Sequence, residues 1–342
     1  MSGGVDSSVC ALLLGRQGYE VIGATMRLHG GDACGSDKDI QDARAVCERL
    51  GIEHMAVDMS ESFEREVIGR FIAAYEHCET PNPCVECNRS LKFGRLLDYA
   101  LEQGCDAVAT GHYARISRDA QTGRMLLRKA ADLSKDQSYV LYSLTQHQLM
   151  HTVFPLGELT KAQVRETAAE AGFANAHKHD SQDICFVPDG DYASFIERHT
   201  GRSYPCGDFI DRSGRVLGRH SGIIRYTIGQ RKGLGIALGE RSYVTALDPK
   251  NNTVTLGSNE DLFSKTLRIR RINLITLPKL EEPVRAAVKI RYNQTEQPAT
   301  VIQLDDDLIE ITFDEPQRAV TMWQSAVIYQ GDTVLGGGTI TR

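Results

Sequence analysis

The chain has no apolar run of transmembrane length and no basic-then-apolar leader at its start. It therefore reads as a soluble, cytoplasmic protein. Internal repeats and low-complexity tracts are absent as well. Its nine cysteines, an odd number in 342 residues, do not suit a disulfide framework and turn attention to reactive or metal-binding thiols. Cys10 and Cys47 fall on apolar helix faces and read as core. There is no surplus of positive charge: the formal net charge of −6 argues against a nucleic-acid footprint over the whole surface. Nor does a Lys-Ser/Thr pair follow a G-x-x-x-x-G spacing, which excludes a Walker A loop.

What the chain does have is Ser2-Gly3-Gly4-Val5-Asp6-Ser7-Ser8, followed by an apolar helix over 9–17 that Gly18 closes. The two glycines permit positive φ and close approach to a ligand, and a helix N-terminus presents unpaired N–H groups. Together these form a nest suited to phosphate. Ser7 and Ser8 would add hydroxyl donors, and Asp6 would hold Mg²⁺ or cap the helix. The segment resembles the SGGxDS pyrophosphate loop of enzymes that cleave ATP to AMP and pyrophosphate.

The length predicts two or three domains. Over the first half, strands expected at 20–28, 54–59 and 106–112 alternate with helices at 39–50, 60–77, 88–103, 135–149 and 160–171. This rhythm predicts an α/β fold, a doubly wound parallel sheet with ligands at the carboxyl ends of its strands. Such a sheet normally places a strand ahead of the phosphate loop. An apolar strand of about five residues is therefore expected in the reading frame upstream of Met1. Beyond about residue 200 the strands shorten, with turn signals at Asp211-Arg212-Ser213-Gly214, Pro249-Lys250-Asn251-Asn252 and Asp305-Asp306-Asp307. The expected division is 1–199, a small β-rich domain over 200–263, and an antiparallel β-barrel of about six strands over 264–342. The charge is uneven: 264–291 holds eight Lys/Arg against two Glu, and 212–241 holds seven against one. Either segment can steer a polyanion or serve as an ordinary solvated face.

Cys84-Val85-Glu86-Cys87 sits in the proline-stiffened stretch Thr80-Pro81-Asn82-Pro83, read as a loop just before a helix, where a thiolate is stabilised. Cys185 lies in a second polar segment, 179–186. Three readings stand. Cys84 and Cys87 bind zinc, although no second C-x-x-C accompanies them. Cys84, Cys87 and Cys185 hold an iron–sulfur cluster with one iron open. Or Cys87 and Cys185 carry and release sulfur, with Cys84 auxiliary.

Taken with Lys92-Phe93-Gly94, Thr110-Gly111-His112-Tyr113-Ala114-Arg115, Lys135-Asp136-Gln137-Ser138-Tyr139, Asp183-Ile184-Cys185-Phe186, the 229–235 stretch, Lys289-Ile290-Arg291-Tyr292 and Gln324-Ser325-Ala326-Val327, these segments resemble the tRNA-specific 2-thiouridylases along essentially the whole chain. The resemblance implies ATP-dependent thiolation of the wobble uridine of tRNA. AMP is transferred to the C2 oxygen, a persulfide sulfur attacks C2, and AMP leaves. It implies that Cys185 carries the persulfide and that Cys87 is its catalytic partner, closing a transient disulfide. ATP would contact residues 2–8, Met26 and Gly111. Asn82, Pro83 and Cys84 would hold the target base, and His112, Lys135, Asp136, Gln137, Arg291, Tyr292 and Gln324 would contact tRNA. Many relatives carry aspartate where Cys84 stands. The implied partners are glutamate, glutamine and lysine tRNAs and a persulfide donor protein, with no membrane. Two rivals use the same loop differently: a synthetase adenylating a small molecule, which has no need of Cys87 and Cys185, and a non-catalytic ATP- and RNA-binding sulfur carrier, which would release no pyrophosphate.

Overall fold

A computed structural model describes residues 1–28, 35–176, 184–237, 239 and 241–341. In the first domain, helix α1 (Val5–Arg16) follows the glycine loop directly. Strand β1 (Gly23–Arg27) pairs in parallel with β2 (His54–Asp58), Gly23 opposite His54 and Arg27 opposite Asp58. Between them runs α2 (Asp37–Leu50), capped by the Ser36 side chain and closed by Gly51 at φ 68°. The other parallel strands are shorter than the sequence suggests. β3 is only Val108–Ala109; beyond a hairpin of β4 (Ala114–Arg118) and β5 (Met125–Lys129), it pairs with β6 (Thr152–Val153). The parallel strands thus form two pairs, with the Met1 amine donating to the Ala24 carbonyl beside β1.

Several helices also differ from expectation. The one expected from Asn88 begins at Pro83, because Asn82 accepts from the Cys84 N–H and proline is preorganised for the first helical position. It continues through a π-helical stretch, Asn88–Arg95, into Leu96–Glu102. Cys84 and Cys87 therefore lie inside a helix, not in a loop before it. Ser60 is likewise inside its helix, its N–H and hydroxyl both donating to Asp58 Oδ1. The expected 135–149 helix is two short ones, Ser138–Leu141 and Gln146–Met150.

The second domain is a four-stranded sheet of β7 (Gly207–Ile210), β8 (Val216–His220), β9 (Tyr243–Asp248) and β10 (Thr253–Gly257), ordered β8-β7-β10-β9. The turn at 211–214 joins β7 to β8: Asp211 Oδ1 accepts from three groups and Gly214 has φ 86°. Strands β11 (Phe263–Leu274), β12 (Val284–Lys289), β13 (Gln297–Asp305), β14 (Leu308–Arg318), β15 (Ser325–Gln330) and β16 (Thr333–Thr341) complete the chain. They run β11-β14-β13-β12-β15-β16, and an added β11–β16 pairing closes them into a six-stranded barrel. Strand alternation drives it: Ile309, Ile311 and Phe313 point inward from β14 while Glu310 and Thr312 do not.

The barrel does not stand apart. β16 also pairs with β5 at Thr333–Arg128, and Tyr139 and Leu127 share a buried cluster with Val327 and Tyr329. Among the described residues no helix is long and apolar enough to cross a membrane.

Burial, more than any other cause, lowers the pKa of His54, His112 and His220 below the ordinary value of about 6.5. His220 Nδ1 accepts from the Gly222 N–H, so Nε2 donates to the Asn252 carbonyl. Below pH 6.5 the unfolded chain takes up protons at these histidines that the folded chain refuses, so folding stability falls with acidification. Thermal midpoints measured from pH 8 to pH 5 are expected to drop below pH 6.5. His220→Gln, which keeps a donor but cannot charge, should show a shallower drop.

Candidate functional site

The glycine loop is fixed by its own serines. Ser7 Oγ and Ser8 Oγ each donate to the Gly4 carbonyl at 3.0 Å, and Ser2 donates from its N–H and its hydroxyl to Ser7 Oγ. Ser8 is fully buried and receives a bond from Asn175, which also bonds the Gly3 carbonyl. Gly3 has φ 64°, and a Cβ there would sit 2.9 Å from the Asp39 carbonyl, so the loop is wedged against the start of α2. Val5 is buried beneath it.

Asp6 does not cap α1: Gly4 is the N-cap and no side chain caps it. Both Asp6 oxygens instead accept from Lys161 Nζ, at 2.7 and 2.8 Å, and Oδ1 also accepts from the Tyr113 hydroxyl. Lys161 is only 8% exposed and stands at the first position of the helix Lys161–Glu170. Nothing in the sequence marks Lys161, because its partner is 155 residues away. Gly111 packs on the same turn: a Cβ there would meet the Asp6 carbonyl carbon and Cβ at 2.8 Å and the Ser7 nitrogen at 3.0 Å. Met26 lies near the end of β1, half-buried against the main core cluster.

Cys87 and Cys185 are both half-buried and both pack against that main core cluster, while Cys84 is exposed. The part of the Cys185 segment before Ile184 lies outside the described residues. Among the described residues no three His, Cys, Asp or Glu side chains come together as metal ligands. In this conformation Cys84, Cys87 and Cys185 do not form a cluster-binding set.

The helix bearing Cys84 and Cys87 is gripped from the barrel. Glu86 accepts from Arg70 at 2.6 Å and from Arg271 of β11 at 2.9 Å, with its own side chain 16% exposed. Gln324 Nε2 donates to the Thr80 carbonyl at 2.8 Å, and the Thr80 N–H donates to the Met322 carbonyl. A shallow cleft lies here, lined by Asn82 and Pro83 together with Arg271 and Ser325.

Other expected RNA contacts are placed unevenly. Tyr292 is 39% exposed, edge-on to Tyr139. Burial, then Asp136 and Cys84 nearby, raises its pKa. Arg291 is half-buried and donates to the Ala319 carbonyl and Thr321. Lys135 is half-buried in the turn after Asp132. Asp136 accepts from Ala130 and Ser138, and Gln137 from the Tyr113 N–H, so both hold the 130–138 turn together. His112 is buried between Phe93 and Phe154, bonded to Thr110, and burial then Lys92 keep it neutral. The basic segments are also less basic than counted. Arg268, Arg271, Lys279 and Arg285 pair with Glu310, Glu86, Asp306 and Asp314, and Arg212, Arg215, Arg219 and Arg225 also have carboxylate partners.

Three family models match the chain in order: a tRNA methyl transferase HUP domain over 1–189, a tRNA methyl transferase PRC-barrel domain over 193–258, and an aminomethyltransferase beta-barrel domain over 264–340. The tRNA-specific 2-thiouridylase MnmA of Clostridioides difficile (strain 630) is 49% identical across 100% of this chain and 97% of its own length. That of Moorella thermoacetica is 49% identical across 99% and 98%. The chain belongs to the tRNA-specific 2-thiouridylase family. Among solved structures, NMN synthetase from Francisella tularensis (18% identity, TM-score 0.34, 60% of this chain and 76% of that one) is a far weaker likeness. The U34-tRNA thiolase NcsA from Methanococcus maripaludis with its [4Fe-4S] cluster is similarly remote (20%, 0.35, 58% and 64%).

As a 2-thiouridylase with a HUP domain the chain uses ATP, and Lys161 is the cation placed at its glycine loop. Lys161→Met deletes one charge-assisted contact, worth about 1.5–3 kcal/mol. Calorimetric titration with ATP is expected to show affinity weakened by about 10- to 150-fold. Gly111→Ala, which drives a methyl into the Asp6 backbone, should abolish the binding heat.

Proposed function

We propose that this chain is a tRNA-uridine 2-sulfurtransferase that thiolates the wobble uridine, with Cys185 and Cys87 as its sulfur-handling pair. The family descriptions speak of methyl transfer, whereas the full-length relatives are named for thiolation. The residues favour thiolation, since a phosphate loop and paired thiols are what that chemistry requires. The observation that carries the reading is that Cys87 and Cys185, distant in sequence, both lie half-buried against one hydrophobic cluster that spans the first domain and the middle sheet.

The uridine C2 carbonyl is a poor electrophile without a leaving group. Its oxygen attacks the α-phosphorus of ATP and pyrophosphate departs, assisted by the loop N–H groups of residues 2–8 and by Lys161. Mg²⁺ would accompany the triphosphate. The terminal sulfur of a Cys185 persulfide then attacks C2 and AMP leaves. The Cys87 thiolate attacks the Cys185 sulfur, breaking its bond to the transferred sulfur, which stays on C2 as the thiocarbonyl. The resulting Cys87–Cys185 disulfide needs an external thiol to reset it. A persulfide donor protein reloads Cys185.

In this reading Met26 and Gly111 bound the nucleotide, Asn82, Pro83 and Cys84 hold the base, and Lys135, Arg291, Tyr292 and Gln324 meet the tRNA. Asp136 and Gln137 hold the turn that presents Lys135, and His112 supports the 110–114 turn from below. The division of labour follows 1–199, 200–263 and 264–342, with tRNA docking on the barrel. The substrates are wobble-uridine tRNAs for glutamate, glutamine and lysine. Although eight of the fifteen Lys/Arg of 212–241 and 264–291 are paired, phosphate contacts should still make affinity fall with salt.

The deciding assay measures 2-thiouridine in digested tRNA after incubation with ATP, Mg²⁺, a persulfide donor and unmodified tRNA. ATP-dependent 2-thiouridine at the wobble position is expected. Cys87→Ser and Cys185→Ser should each abolish it while ATP binding persists. A small-molecule synthetase would keep its activity in both variants.

A further inference from the structure

The chain holds a single tryptophan, Trp323, and its placement is unusual. Its backbone is left-handed at φ 66°, a conformation bulky residues rarely adopt, and its side chain is among the exposed large apolar groups at 39%. The conformation is imposed by the barrel. The Trp323 N–H donates to the Ile340 carbonyl, and the Ile340 N–H to the Gln324 carbonyl, so β16 fixes the turn. Across the cleft Arg271 is also left-handed at φ 53°, and its guanidinium lies 5.9 Å from the centre of the indole ring. These are two of the five non-glycine residues with positive φ among the described residues.

The ring is not simply covering core. It lines the shallow cleft with Asn82, Pro83, Arg70, Glu86 and Arg271, in which two guanidinium groups flank one carboxylate. The neighbouring Gln324 is bonded to Thr80, at the start of the segment bearing Cys84 and Cys87. A flat π-face, held rigidly and half open to solvent beside net positive charge, has the chemistry of a base-stacking platform.

We propose that Trp323 stacks on a nucleobase of the RNA substrate at the mouth of this cleft. The proposal rests on the thiolation reading above, because it needs an RNA loop to enter where Asn82 and Pro83 lie.

The single tryptophan makes the test site-specific. Full-length protein is titrated with unmodified tRNA while tryptophan emission, acrylamide quenching and filter retention are followed together. The expected result is a saturable emission change and loss of acrylamide access, at the same midpoint as retention. Trp323→Gly suits the left-handed backbone and so keeps the fold, which circular dichroism checks. Its KM for tRNA should rise about 5- to 150-fold, more than kcat falls, and Trp323→Phe should restore most of the loss. Retention of tRNA with emission and quencher access unchanged overturns the stacking while leaving the thiolation reading standing. So does a wild-type KM in Trp323→Gly. No retention of tRNA overturns the thiolation reading and the stacking with it.

Discussion

One carboxylate, Glu86, carries the constraint on which the rest of the site depends. It lies between the two cysteines of Cys84-Val85-Glu86-Cys87 and receives one guanidinium from its own domain, Arg70, and one from the barrel, Arg271. A largely buried carboxylate with one cation would be under-satisfied; with two it fixes the helix turn between its neighbours. The position of both thiols is thereby tied to strand β11, almost two hundred residues later in the chain. The Gln324 and Met322 contacts with Thr80 tie the same segment to the turn before β15. The barrel therefore helps to set where the two thiols of this helix stand.

The phosphate loop shows the same principle on a smaller scale. Its serines are turned onto its own carbonyls, so its conformation is set before any ligand arrives. Lys161 and Asp6 form a charge pair at the helix start. Lys161 donates to both oxygens of Asp6, and Tyr113 steadies the same acid. A preorganised site of this kind stabilises developing negative charge without reorganising at the moment of reaction.

Much of this was legible in the sequence, and the reasons for the rest are physical. The barrel, the middle sheet and the glycine loop are local patterns: turn residues at Asp211–Gly214 and Asp305–Asp307, and the Ser2–Ser8 run ahead of an apolar helix. The start of the thiol helix was not, because the prolines at 81 and 83 read as loop until the Asn82 side chain is seen accepting from the Cys84 N–H. The β4–β5 hairpin was missed, although Asp119 and Gly123, at φ 72°, make its turn from ordinary turn residues. Lys161, Arg271 and Glu86 belong to pairs whose members lie far apart in the chain, so no window of sequence contains both. Counting charge along 264–291 misled for the same reason: the acids that neutralise it, Glu86, Glu310 and Asp314, come from elsewhere.

That neutralisation bears on how an acidic protein holds a polyanion. An arginine engaged by a carboxylate through one or two of its five N–H groups still has donors to offer, but it is fixed in place by the pairing. Arg271 is the instructive case, bonded to Glu86 on one side and set against the Trp323 ring on the other. Such a group contributes less to long-range attraction than a solvated lysine and more to a defined geometry at short range. Under the function proposed above, affinity built this way depends on an RNA loop fitting the cleft between the thiol helix and the barrel. Recognition of a single loop nucleotide among many phosphates requires that dependence, which a uniformly basic surface would not supply.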